Sequence, residues 1–343
     1  MFKSVKTILA CLVLFFALIG GRFVQLAFIG RTQAGAMVRV EVPQGVALSV
    51  FMNDLQTKQL IARPIWYRAY GLMDEKVTHP KPGSYLVQPG TSMRSLARAL
   101  ALGPQREEVQ VRIIEGWNIG DITRHLSQEH AIDPNETAKI IGKIGNDAPF
   151  EKDLRTQFSF LAKMDPKRSL EGYLFPDTYR VWGEQLPEGL VLKQLQEFQQ
   201  LFGDAHVTSK SAPLKNLDQV VILASIVERE VRSPEEMRMV AGIFLRRLRE
   251  GIPLQSDATL GYITGSKRGR MTADEIASEN LYNSYQHQGL PPGPISNPGK
   301  SAIQAVLDPA PSNYRYFLTD VAGKIYYAST LEEHVANKRK AGY

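Results

Sequence analysis

The amino terminus constrains this chain most, because a basic start precedes a long apolar run. Lys3 and Lys6 are followed by the apolar stretch Ile8–Ile19, which resumes after a short interruption. A membrane-spanning helix needs roughly 20 mostly apolar residues. Val5–Ala27 supplies about that length, and Arg22 can extend its charged group to the outer edge. Basic residues on the short leading side predict a cytoplasmic amino terminus and an exported remainder.

A cleaved signal peptide is the alternative, since Ala34-Gly35-Ala36 resembles a small-residue cleavage site. The length of the apolar run favours an anchor, and both interpretations export the rest of the chain. The single cysteine, Cys11, lies inside the apolar run, which excludes a disulfide framework and a Cys-based zinc site. The six histidines are scattered without metal-ligand spacing, so we expect no metal centre.

Three short units of strand, glycine turn and helix follow the apolar run. They begin at Val40–Gly45, Val87–Gly90 and Val111–Gly116, and each continues with apolar residues at helical spacing. Such a unit is common in proteins, so the pattern alone leaves open whether it is a true repeat. The shared offsets favour a repeat, and the first two copies resemble LysM-type glycan-binding modules.

The second half of the chain predicts helices and one hairpin, which gives an α+β fold class overall. The predicted helices are Leu190–Phe202, Asp218–Val231, Pro234–Glu250 and a helix through Leu307 with Asn297 as N-cap. The predicted strands are Tyr314–Leu318 and Lys324–Ala328.

Glu228 follows the apolar run Val220–Val227, which indicates a helix at the centre of its domain. A carboxyl group held against an apolar surface has a raised pKa and keeps its proton near neutral pH. A general acid needs that property. The alternative is that Glu228 and Glu230 are solvated helix-end residues that pair with Arg229, Arg232 or Arg238. Helical periodicity does not separate the two glutamates.

Polar and aromatic side chains in loops held by glycine and proline predict a glycan-binding groove. Aromatic rings stack on sugar faces, and short polar groups bind sugar hydroxyls. Core packing is the alternative for each ring, but concentration in loops favours a site. The candidate substrate-binding residues are Glu171, Tyr173, Asp177, Tyr179, Gln255, Ser256, Asp257, Asn283, Tyr285 and Asn297.

The net charge of +6 suits an acidic partner, but two motifs that would specify one fail on inspection. The basic run Arg246–Arg249 lies on the polar face of an amphipathic helix in an exported chain, so we expect no nucleic-acid binding. Gly299-Lys300-Ser301 resembles the end of a phosphate-binding loop, but Pro294 stands where that loop needs its first glycine. We therefore expect no cofactor.

Several motifs in order resemble the endolytic murein transglycosylase family, also called the MltG or YceG-like family. They are Glu171–Tyr179, Leu223–Glu230, Leu254–Asp257, Tyr282–Tyr285, Gly289–Ile295 and Asn297–Gly299. The resemblance covers nearly the whole chain and maps Glu228 to the catalytic acid. Two departures, Arg229 where lysine is common and Val231 where threonine is common, leave that acid untouched.

The resemblance implies a single-pass inner-membrane enzyme whose catalytic domain faces the periplasm. Such a lytic transglycosylase, a carbon–oxygen lyase, cuts MurNAc–GlcNAc bonds within peptidoglycan glycan strands and leaves 1,6-anhydro-MurNAc ends. It would act as a terminator of glycan elongation beside peptidoglycan synthases. The expected domains are residues 1–30 as anchor, 37–105 as a LysM-like module and 106–343 as the YceG-like catalytic domain. A hydrolase on the same scaffold and an anchored glycan-binding protein without catalysis remain as alternatives.

Overall fold

The structure is a computed structural model with a mixed α+β fold, as predicted. It describes residues 2–30, 38–61, 63–74, 80–104, 108–145, 149–151, 153–162, 164–265 and 271–342. The chain divides into two compact units, Met1–Glu107 and Glu108–Tyr343. The cleavage-like site at residues 34–36 lies outside the described residues.

The first unit begins with the predicted apolar helix. Its elements are α1 (Phe2–Val24), β1 (Val38–Val42), α2 (Leu48–Thr57), α3 (Pro64–Gly71), β2 (Gly83–Val87) and α4 (Met93–Leu102). A π-helical turn, Gln25–Ile29, continues α1. Within the described residues, the stretch Cys11–Ile29 is the one helical segment that is long and apolar enough to cross a membrane.

The two strands of the first unit pair with each other, antiparallel, with Val40 opposite Tyr85. The first two predicted repeat copies therefore share one sheet and one core, and they are not separate modules. Gly45 and Gly90 follow the strands with φ of 72° and 88°, a backbone conformation that favours glycine. Because both turns require glycine at this position, the two copies keep a similar spacing between the glycine and the apolar residues of the helix that follows.

The second unit contains the remaining elements. They are β3 (Glu108–Arg112), α5 (Ile119–His130), α6 (Pro134–Ile141), α7 (Asp153–Gln157), β4 (Thr178–Trp182), α8 (Glu188–Phe202), α9 (Leu217–Glu230), α10 (Pro234–Glu250), α11 (Asp257–Thr264), α12 (Ala273–Ala277), α13 (Lys300–Leu307), β5 (Tyr316–Thr319), β6 (Ile325–Ala328) and α14 (Leu331–Lys340). Strand β3 pairs antiparallel with β4, and β5 pairs antiparallel with β6. The third predicted repeat copy, β3 and α5, thus belongs to this unit.

Helix α9 lies at the centre of the second unit, as its apolar sequence predicts. Every residue from Val220 to Val227 is buried. Helices α10 and α13 pack against it. Burial on all sides explains why the sequence shows no polar stripe until Glu228.

Helix α13 begins later than predicted. Gly299 is its N-cap and Lys300 its first residue. Asn297 does not cap the helix, because its side-chain amide is hydrogen-bonded to other loops.

Candidate active site

A cleft of about 610 Å³ opens beside the carboxyl end of α9. The loop between β3 and α5, the end of α9 and the start of α11 form its walls. The acidic side chains that line it are Glu115, Asp121, Glu228, Glu230 and Asp257. Arg229 and Arg232 add positive charge. Among the described residues, no group of three or more His, Cys, Asp or Glu side chains is arranged to hold a metal ion.

The half-buried Glu228 carries the predicted acid character. The Gly299 N–H donates a hydrogen bond to its Oε2 at 2.9 Å. Burial raises the pKa of Glu228 to about 7, the negative charge of Glu115 raises it as well, and the Gly299 hydrogen bond opposes both. The carboxyl group therefore holds its proton over much of the range up to neutral pH.

Glu115 and Glu228 meet at the same glycine. A Cβ built on Gly299 would overlap the Glu115 carboxyl group, so that carboxyl lies directly against the Gly299 backbone. Glu228 accepts from the N–H of the same residue. Sequence reasoning missed Glu115, and the available signal was its place immediately before Gly116 in the third strand–glycine–helix unit.

Glu230 lines the same cleft and does not pair with Arg238, one of the partners that the helix-end alternative proposed. The Ser256 hydroxyl donates a hydrogen bond to Glu230 Oε1. Burial raises the pKa of Glu230 to about 7; the Ser256 hydrogen bond opposes this rise, and the negative charge of Asp257 adds to it. Arg238 instead pairs with Asp308, with Nη2 and Oδ2 2.9 Å apart.

One of the predicted substrate-binding residues, Asp257, lies at this wall of the cleft. Asp257 lines it and is exposed, and the Tyr285 hydroxyl donates to Asp257 Oδ1 at 2.6 Å. Gln255 is exposed and accepts a hydrogen bond from Arg247. Arg247 is itself buried, so the basic run is not a uniformly solvated face as expected.

Glu171 is buried and does not reach the cleft. The Ile119 N–H, at the first residue of α5, lies 3.2 and 3.1 Å from its two carboxyl oxygens. Burial raises the pKa of Glu171 to about 8. The carboxyl group thus caps the start of α5 from a distant loop, where the helix presents unpaired N–H groups.

Asn297 is also buried and joins three loops. Its Oδ1 accepts from the Gly172 N–H at 2.9 Å and the Leu174 N–H at 3.0 Å. Its Nδ2 donates to the Trp117 carbonyl at 3.0 Å and to Glu171 Oε1 at 3.1 Å. All four bonds are to protein groups, so the side chain holds the walls of the site together and does not face substrate.

The remaining predicted groove residues lie away from the cleft. Tyr173 is in the core and donates to Asp218 Oδ1 at 2.7 Å. Tyr179 is buried on β4 and donates to the Phe175 carbonyl. The Asn283 amide donates to the carbonyls of Ile276, in α12, and Ser278. Asp177 is exposed where β4 begins. For Tyr173 and Tyr179, core packing, the alternative given for each ring, describes the observed position.

Trp117 is the aromatic side chain that lines the cleft, and sequence reasoning missed it. The ring is half-buried, and its edge-to-face partner is His125, with ring centroids 5.1 Å apart. The signal was present, because Trp117 follows directly after Glu115-Gly116.

Comparison with known proteins agrees with the sequence motifs. Residues 40–340 match the model of the YceG-like family. A Bacillus subtilis protein named endolytic murein transglycosylase is 25% identical over 311 residues, which cover 89% of this chain and 84% of that protein. A Streptococcus pneumoniae protein of the same name is 27% identical over 318 residues, which cover 88% of this chain and 57% of that protein.

A solved structure supports the same relationship at the level of fold. The crystal structure of a putative YceG-like protein from Listeria monocytogenes aligns with a TM-score of 0.56 at 24% identity. The alignment covers 89% of this chain and 100% of that chain. Because the family model spans most of the sequence, this chain belongs to the YceG-like family.

Proposed function

We propose that this chain is an endolytic murein transglycosylase that cleaves MurNAc–GlcNAc bonds within peptidoglycan strands and leaves 1,6-anhydro-MurNAc ends. The observation that carries the proposal is the Glu228 carboxyl group, which lines an open cleft with its pKa raised to about 7. The names of the relatives add the substrate and the reaction class.

Glu228 would act first as acid and then as base. In the first step it protonates the glycosidic oxygen as the bond from that oxygen to C1 of MurNAc breaks. The ionised carboxylate then accepts the proton of the C6 hydroxyl, whose oxygen forms the new bond to C1. The attacking group belongs to the same sugar, so a high effective molarity favours ring closure over attack by water.

The hydrogen bond to Gly299 orients this acid. A backbone N–H donates to an oxygen lone pair, so Glu228 Oε2 is the acceptor, and the proton of the neutral acid belongs on Oε1. Once the carboxyl group ionises, the same N–H stabilises the negative charge. A single side chain can therefore serve both steps without reorganisation.

The acidic cleft suits the charge that develops on the sugar. Cleavage passes through an oxocarbenium-like state with positive charge near C1. Glu115 and Asp257 line the cleft and would stabilise that charge. The same carboxylates give the hydrolase alternative its support, since either could activate a water molecule. Anhydro products lack one water, so product mass separates the two reactions.

The test compares Glu228→Gln with Glu230→Gln, two matched substitutions on one helix end. Glutamine cannot donate a proton to the glycosidic oxygen, so Glu228→Gln should lose roughly 10²–10⁴-fold or more in rate. Glu230→Gln should retain most activity, because its amide oxygen can still accept from Ser256. Release of anhydro-muropeptides from sacculi is measured by mass spectrometry, with melting temperature as the folding control.

The result is decisive in either direction. A folded Glu228→Gln that releases anhydro products at near wild-type rate overturns the assignment. A dead Glu230→Gln beside an active Glu228→Gln moves the acid to Glu230. Reducing ends in place of anhydro ends would establish the hydrolase.

We also propose that α1 anchors the chain in the inner membrane, with the rest of the first unit and the second unit on the periplasmic side. The first unit would bind glycan as a LysM-like module, and the enzyme would work beside peptidoglycan synthases as a terminator of glycan elongation. Deleting residues 38–103 should then weaken binding to sacculi more than it slows cleavage of a short soluble glycan. Unchanged sacculus binding would make this region a spacer.

A further inference from the structure

Helix α3 presents an apolar face to the outside of the first unit. Ile65 and Leu72, seven residues apart and therefore on one side of the helix, are 62% and 91% exposed. Met73 beside them is 65% exposed. The opposite side, with Tyr67 and Tyr70, is buried. Apolar patches exposed on the surface of a protein mark contact sites.

The buried side of α3 packs on the end of the apolar amino-terminal helix. The rings of Trp66 and Phe23 lie 6.0 Å apart, and those of Tyr70 and Phe28 also lie 6.0 Å apart. Leu26 is buried in the same unit. Helix α3 therefore runs beside the last turns of the membrane-span candidate.

These contacts set the level of α3 relative to the span. The Trp66 ring contacts Phe23, which directly follows Arg22 in the chain. Arg22 is the charged residue that we expect to extend to the outer edge of the membrane. Trp66 thus lies near the level where the spanning helix leaves the hydrocarbon, and tryptophan is enriched at that boundary.

Basic side chains surround the same region. Arg63 precedes α3, and the exposed Arg68 lies on it. The Arg94 guanidinium of α4 lies 6.0 Å from the Phe28 ring centroid. Cationic groups next to an apolar face match a bilayer surface, where anionic headgroups lie above the acyl chains.

We propose that α3, together with Leu72 and Met73, lies in the lipid interface of the membrane and seats the first unit on the bilayer. The inference rests on the anchoring proposed above. The occupant is lipid, because a face at this level beside a spanning helix meets the same hydrocarbon boundary as that helix. The apolar stripe enters the acyl region while the arginines reach the headgroups.

The experiment uses the full chain in liposomes of phosphatidylethanolamine and phosphatidylglycerol. Cys11 is the single cysteine, so Cys11→Ser permits one engineered label. An environment-sensitive fluorophore is placed at Ile65→Cys, and lipids carrying a nitroxide near the headgroup serve as quencher. Val321→Cys, 100% exposed in the β5–β6 turn of the second unit, is the matched exposed control. A label on native Cys11 reports the anchor separately.

We expect the Ile65 label to show blue-shifted emission and stronger quenching than the Val321 label. A quenched Cys11 label with an Ile65 label that behaves like Val321 overturns the inference and leaves the anchor intact. A blue shift without quenching places the site under protein and also overturns it. An unquenched Cys11 label contradicts the anchor itself, and the inference fails with it.

Discussion

Replacing Asn297 by alanine should destabilise the second unit strongly, although no substrate contact is lost. The side chain is buried and accepts from the N–H groups of Gly172 and Leu174. The Trp117 carbonyl keeps a partner in the variant, because the backbone N–H of Asn297 also donates to it at 2.7 Å. The N–H groups of Gly172 and Leu174, in contrast, lose the Oδ1 acceptor of Asn297 inside the protein.

The magnitude follows from those two groups. Each buried donor left without a partner costs about 1–3 kcal/mol, so the free energy of unfolding should fall by about 4 kcal/mol. For a unit of this size, 1 kcal/mol shifts the melting temperature by about 2–4 °C. The expected decrease is therefore on the order of 10 °C.

Thermal unfolding monitored by circular dichroism measures the decrease. Asn135→Ala is the matched control, since Asn135 is exposed and its substitution should change stability by no more than about 0.5 kcal/mol. Asn297→Asp keeps an acceptor for both N–H groups but places a second carboxyl group beside Glu171. It should be closer to wild type at low pH than at high pH. A melting temperature of Asn297→Ala equal to that of Asn135→Ala refutes the reasoning.

Three further predictions concern the carboxyl groups of the cleft. Cleavage should decline as pH rises through about 7, where Glu228 loses its proton. Glu115→Gln removes a neighbouring negative charge, which lowers the pKa of Glu228 and should move this decline to lower pH. The pH–rate profile of anhydro-product release measures the effect, and an unmoved profile contradicts the prediction. Gly299→Ala should displace the flexible Glu115 carboxyl group, because the new methyl group would overlap it. We expect a lower cleavage rate with little change in melting temperature. A wild-type rate would show that cleavage does not need the Glu115 carboxyl group beside Gly299. The pKa of Glu230 is raised in the folded state, so it contributes stability that is present below the unfolded pKa of 4.5 and lost as pH rises through about 7. Glu230→Gln should therefore reduce the fall in melting temperature between low and neutral pH. Parallel plots of melting temperature against pH for the wild type and this variant would argue against the prediction.

Local patterns in the sequence were sufficient for α1, for helices α8 to α10 and for the burial of the helix that ends beside Glu228. The apolar run predicts α1, and helix α10 runs from Pro234 to Glu250 as predicted. Both follow from side-chain periodicity and from capping residues, which act over a few positions. The raised pKa of Glu228 was also foreseeable, because eight buried residues, seven of them apolar, immediately precede it on one helix.

Local patterns gave wrong predictions for loop residues that could bind either a sugar or another part of the protein. A tyrosine or asparagine between glycine and proline can bind a sugar or another loop equally well, since both offer the same hydrogen-bonding groups. In Tyr173 and Asn297 the protein itself supplies those groups. Nothing within a few residues of either one indicates this, because their partners lie far away in sequence.

The sequence by itself therefore determined the apolar helix, helices α8 to α10 and a carboxyl group whose pKa is raised by the buried helix before it. Only the tertiary structure decided which groups surround that carboxyl. Glu228 meets Gly299 across 71 residues of chain, and Asn297 meets Gly172 across 125. Periodicity and propensity act along a segment, whereas hydrogen bonds and charge interactions act through space. The environment of the acid is set by segments that become neighbours only when the chain folds.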